Sequence, residues 1–119
     1  MSCVQNSGIK YNFMNTEKIC LFYITFPNEA EAIRLSESVV KKGLAACTNI
    51  YPITSKYVWK ETFVSDDEFV AILKTLPQHE EELRKFAEEA HPYECPCLIS
   101  WPVNVNTSYY KWVESKTKS

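Results

Sequence analysis

Residues 19–43, ICLFYITFPNEAEAIRLSESVVKKG, decide the fold. From Ile19 to Phe26 the apolar residues run almost without a break, β-branched and aromatic types dominate, and Pro27 stops the run. That pattern predicts a strand covered on both faces. Asn28 followed by Glu31 has the spacing of a capping box, in which the Asn side chain takes a free backbone N–H and the Glu reaches back. Ala32, Ile33, Ser36, Val39 and Val40 fall on one helical stripe, Lys41 and Lys42 suit the negative end of the helix dipole, and Gly43 suits a left-handed cap. A helix from Asn28 to about Lys42 follows.

Working outward, Leu44 to Lys60 carries Cys47, Asn49, Tyr51, Ile53, Ser55, Tyr57 and Trp59 on one parity, with Pro52 inside the run. Proline there predicts a sheet edge or a bulge. Glu61 to Asp67 reads as the turn of a long hairpin, and Glu68 to Leu73 as its second strand. Pro77 suits a first helical position, with Glu80, Glu81 and Glu82 at the positive dipole end and His79, Leu83, Phe86, Ala87 and Ala90 on one face. This helix ends before Pro92. A last strand alternates from Cys97 to Val105, and Ser108 to Val113 suits a short helix. The order β-α-β-β-α-β is the split βαβ motif, an α+β, ferredoxin-like antiparallel sheet with both helices on one face.

Composition narrows the function. The 119 residues suit one domain, and 45% apolar residues suffice for an ordinary core. Two glycines leave little for phosphate-cradling loops, and a net charge of −2 with scattered Lys and Arg argues against nucleic acid. No apolar run is long enough to span a membrane. Five cysteines and no leader pattern predict a reduced, cytoplasmic setting. Residues 1–16 are polar and patternless and are expected to form a disordered extension ahead of a single domain at 17–119. Acylphosphatases share the element order but need an arginine-bearing loop after the first strand; here that loop is Phe26, Pro27 and Asn28, and the only arginines are Arg34 and Arg84. A non-enzyme is expected.

Two helices cover one sheet face, yet Tyr51, Tyr57, Trp59, Trp101, Tyr109, Tyr110 and Trp112 exceed what one small core absorbs. A second apolar face implies a partner surface, and a closed homo-oligomer is the favoured partner. The block His91, Pro92, Tyr93, Glu94, Cys95, Pro96, Cys97 sets an imidazole, a phenol, a carboxylate and two thiols at a helix-to-strand junction held extended by its prolines. His91 reads either as a metal ligand or as a cap of the preceding helix. Cys95 and Cys97, ~6.5 Å apart in an extended strand, sit near the limit for a disulfide and form an alternative soft-metal pair. Glu68 and Lys74 share one face of the third strand; as charges on an apolar face they need partners or a ligand.

Leu44, Ala45, Ala46 and Cys47, then Asn49, Pro52, Ser55, Tyr57 and Trp59, then Glu68, Lys74 and Thr75, then His91, Pro92, Tyr93, Glu94 and Pro96, and finally Tyr109 and Trp112 together resemble the CutA family of divalent-cation tolerance proteins. The match runs from about Ile19 to Trp112. It departs where Ile53 and Glu61 stand at positions often glycine, and where Ile24 replaces a cysteine found in bacterial members. The resemblance implies a homotrimer similar in architecture to the PII signalling proteins, with a tie to copper or another divalent cation that folding does not require. On that basis Cys47, His91 and Glu68 are candidate metal ligands, Cys47 being equally readable as a small core residue. Lys74, Tyr93, Glu94 and Trp59 are candidate residues of an inter-subunit cleft for a small effector or protein partner. A purely structural trimer is the third reading.

Overall fold

The computed structural model describes residues 16–119, and the reading of the extension at residues 1–15 lies outside them. Thr16 already opens the first strand, β1 (Thr16–Phe26). Helix α1 (Glu29–Lys41) and strands β2 (Cys47–Trp59) and β3 (Thr62–Thr75) follow. A 3₁₀ turn at Pro77–His79 leads into α2 (Glu80–Ala90), and the chain closes with β4 (Leu98–Asn106) and α3 (Thr107–Lys116). The sheet is antiparallel throughout, in the order β2-β3-β1-β4. This is the expected ferredoxin-like arrangement. Pro52 sits on the edge strand β2, where its missing N–H costs nothing inside the ladder.

Local expectations at α1 are met in part. The Asn28 side chain accepts a hydrogen bond from the Glu31 N–H at 3.0 Å, but the Glu31 carboxylate turns to Arg34 instead of reaching back. Gly43 closes the helix at φ 72°, where a Cβ would meet the Lys118 backbone nitrogen at 3.2 Å. The buried stripe is Ala32, Leu35, Ser36 and Val39; Ile33 and Val40 lie half exposed beside it. The stripe is therefore rotated toward Leu35, because the sheet meets the helix on that side.

Register assigns the two faces. Cys20, Phe22, Ile24 and Phe26 stand opposite Thr75, Leu73, Ala71 and Phe69, and these side chains form the main core under α1 and α2 with Leu83 and Ala87. The Thr75 hydroxyl donates to the buried Leu44 carbonyl at 2.7 Å, tying the α1–β2 connection to β3. Residues of the other parity, among them Tyr23, Tyr51, Glu68, Ile99 and Trp101, point to the far face. At one end of that face α3 packs Val113 and Tyr109 against Ile19, Leu21 and Val103. In its middle Tyr51, Ile99 and Trp101 stay 39%, 50% and 38% exposed. The expected second apolar face is real and is bare in a single chain.

The hairpin departs from expectation. The turn is only Lys60 and Glu61, and Thr62 to Asp67 continue β3, pairing as far as Trp59 with Thr62. Polar residues at 65–67 read as a loop because the far end of the hairpin lies beyond the helices, where no core enforces alternation. Both turn residues are left-handed, at φ 50° and 69°. That is the two-residue hairpin geometry that favours glycine. We predict that Glu61→Gly raises the urea midpoint, by about 0.5 kcal/mol net of glycine's greater unfolded-state entropy, and that Glu61→Val lowers it.

Candidate functional site

The junction after α2 is where the unusual side chains converge. His91 leaves the helix at φ −78° and ψ 140°, the extended conformation that Pro92 imposes on its predecessor. Its ring turns inward and stacks on Phe26, with centroids 4.8 Å apart, and stands 5.0 Å from the Tyr93 ring. Nε2 lies 2.7 Å from the Thr25 carbonyl, which only accepts, and the Tyr93 N–H donates to Nδ1 at 3.0 Å. The partners therefore fix the neutral tautomer with its proton on Nε2. Burial pushes the imidazole pKa down, against a smaller upward pull from Thr25 and nearby carboxylates. His91 is thus a pin joining the turn to β1, and it does not cap α2.

Held in this way, Tyr93 reaches across to β3 and its hydroxyl donates to Glu68 Oε2. Burial, followed by the Glu68 bond, raises its pKa well above the ordinary phenol value. Glu68 is only 6% exposed. Between this turn and the hairpin lies a cleft of about 720 Å³. Ser55, Lys56, Tyr57 and Trp59 form one wall, Pro92 to Cys95 and Cys97 the other, and Thr25 and Glu68 the sheet between them. The Tyr57 hydroxyl donates to Asp66 at 2.9 Å, which raises its pKa, and Lys56 donates to Ser65 at 2.9 Å. Burial first, then Glu68 and Cys95, push the Cys97 thiol up, so this thiol favours its unreactive protonated form.

The cleft collects Trp59, Tyr93, Glu94, Cys95 and Cys97, all singled out in the sequence, together with Glu68. Lys74 is not among them. It shares the face of Glu68, but its ammonium lies 5.6 Å over the Tyr109 ring at the α3 end. Cys95 and Cys97 precede β4 in an irregular segment, both as free thiols. The partner that Glu68 needs is supplied by Tyr93 of its own chain.

Cys47, His91 and Glu68 do not come together as a ligand set. Cys47 stands opposite Lys74 while Glu68 stands opposite Ile53, six rungs or about 20 Å along the sheet. Both nitrogens of His91 are engaged, and among the described residues no group of three His, Cys, Asp or Glu side chains is placed to hold a metal. The described residues of the chain therefore do not by themselves fit a closed metal site. Cys47 lines a separate, apolar groove with Ile33, Val40, Ile50 and Trp112. Thr25, Ser55, Lys56 and Tyr57 escaped the sequence reading of the cleft; the shared parity of Tyr57 with Trp59 was the available signal.

The family model described as CutA1 divalent ion tolerance protein matches residues 20–116. The divalent-cation tolerance protein CutA of Thermotoga maritima is 42% identical over 94 residues, covering 78% of this chain and 93% of that protein. Human protein CutA is 39% identical over 99 residues, 82% of this chain, and the match spans 55% of the human protein's length. The crystal structure of CutA1 from Pyrococcus horikoshii aligns with a TM-score of 0.82 at 35% identity, over 84% of this chain and 99% of that one.

The geometry of His91 sets a pH dependence. Its pKa is lower in the fold than its ordinary 6.5, so the unfolded chain binds the extra proton more readily. The His91 contribution is then complete above about pH 6.5 and is lost as pH falls below it. Urea unfolding at fixed protein concentration should show declining stability from pH 7 to 5.5. His91→Ala should lessen that decline and, by orphaning the Thr25 carbonyl and Tyr93 N–H, cost about 1–3 kcal/mol at pH 7.5.

Proposed function

The chain belongs to the CutA1 divalent ion tolerance family, and from that premise we propose that it serves tolerance to divalent metal ions, copper among them, as a non-catalytic homotrimer. The observation that carries the assembly is the bare middle of the far sheet face. Tyr51, Ile99 and Trp101 form an apolar surface of the kind that marks a partner interface. Among the described residues both sheet edges, β2 and β4, are unpaired. An edge of one copy beside the opposite edge of the next is a head-to-tail contact, and such contacts close into rings. Val58 and Phe63, each 66% exposed near the hairpin tip, lie on the opposite face of the hairpin and add a second apolar patch beyond the helices for a neighbouring copy to cover.

Ion binding, on this reading, belongs to the assembly, since the described residues of one subunit supply no set of three ligands. Cys47 is the ligand to test first, as a half-buried soft donor on the bare face. The four free thiols among the described residues suit a reducing compartment such as the cytoplasm. A second reading, a cleft for a small effector, is favoured by one observation: Glu68 is a buried carboxylate aimed into a cavity large enough for a ligand.

Light scattering should give a mass three times the 13.8 kDa of the chain, and Trp101→Glu should reduce it to the monomer. Copper titration under reducing conditions against a chelator should show fewer than one tight ion per subunit, lost in Cys47→Ser and in the monomeric variant. Binding that survives in the monomer and disappears in Cys95→Ser/Cys97→Ser would move the ion to that thiol pair. No competition with the chelator would sink the ion-binding part of the proposal.

A further inference from the structure

The cleft combines aromatic walls with a buried carboxylate that forms no ion pair among the described residues. Glu68 lines the cavity and accepts a hydrogen bond from Tyr93 at Oε2, while no hydrogen bond among the described residues engages its other oxygen. The ion pairs of the described residues, Arg34 with Glu31, Arg84 with Glu80 and Lys118 with Glu82, all lie elsewhere. Lys56 lines the cleft, yet its ammonium is turned to Ser65 across the hairpin. Asp66, bonded to the Tyr57 hydroxyl, and Glu94 on the opposite wall add to the negative potential. A carboxylate withdrawn from water without a counter-charge is costly, and a bound cation removes that cost.

The walls select the kind of cation. Tyr57, Trp59 and Tyr93 present rings to the cavity, and ring faces attract ammonium groups most strongly where water is excluded. Trp59 already draws one: the Lys60 ammonium lies 5.7 Å from its ring centroid. A bare divalent ion would find no three-ligand group here, and an anion would face Glu68 directly. We propose that the cleft binds a primary organic ammonium carried on an apolar body, its N–H groups on the open oxygen of Glu68 and its body against Trp59 and Tyr57. This rests on the effector reading of the cleft and adds the chemical class of the ligand.

Three probes of one shape and different charge test it: benzylammonium, benzyl alcohol and benzoate, each titrated calorimetrically into the full chain at constant ionic strength. Saturable binding of benzylammonium alone is expected. Glu68→Gln should weaken it at least tenfold, and Glu94→Gln, which removes a second negative charge from the cleft lining, should weaken it about threefold. Should Glu68→Gln fail to fold, the exposed Glu94→Gln change decides the sign of the field. Equal or tighter binding of benzoate or benzyl alcohol would overturn the cation assignment and leave the cleft a ligand site. Absence of saturable binding by all three would overturn both.

Discussion

A four-stranded sheet with both long helices on one side has to satisfy its second side by other means, and that constraint organises the whole molecule. Three devices divide the task. The C-terminal helix covers the Ile19, Leu21 and Val103 end. The turn after α2 covers the other end through Tyr93 and Glu68. The middle, with Tyr51, Ile99 and Trp101, is left to another chain in the assembly proposed above. Everything of functional interest lies on this side, while the helix-covered side is an ordinary core of Phe22, Ile24, Leu73 and Leu83.

The turn works because its chemistry is redundant at one residue. Pro92 sets the backbone of His91, Phe26 sets the plane of its ring, and Thr25 and the Tyr93 N–H set its proton. An imidazole so fully engaged is poorly suited to bind a metal, although its residue type and place in the sequence suggest a ligand. Its role is to position Tyr93, and through Tyr93 the carboxylate that gives the cleft its charge. Side chains that look like chemistry in the sequence are here divided between a structural pin and the wall of a cleft.

Element order, faces and edges were legible in the sequence because each rests on local rules. The near-continuous apolar run of β1, the Asn28 cap, Gly43 and the edge position of Pro52 all obey propensity or steric limits that need no tertiary information. The extent of the hairpin was not legible, since residues 62–67 pair with β2 through backbone hydrogen bonds that polar side chains do not announce. For the site, shared parity placed Glu68 on one face with Lys74, but parity does not tell which end of a strand a side chain serves. Lys74 reaches Tyr109 and Glu68 reaches Tyr93. Distance along the strand also separated Cys47 from Glu68, a fact that only the register supplies.

The first of the four described strands occupies the centre of the sheet. β1 pairs on one side with β3 and on the other with β4, so that Phe22 waits for both Leu73 and Ser100. Neither neighbour follows it closely in the chain, and such non-local pairings form slowly because long loops must close before any contact rewards them. During synthesis, the apolar run from Ile19 to Phe26 emerges with two unpaired edges; β3 can close one, and the other stays open until β4 arrives. In that interval it is a sticky segment, the kind that seeks a strand from another molecule. Expression yield and chaperone demand should therefore depend on how quickly β4 docks, a kinetic property set by the winding of the chain.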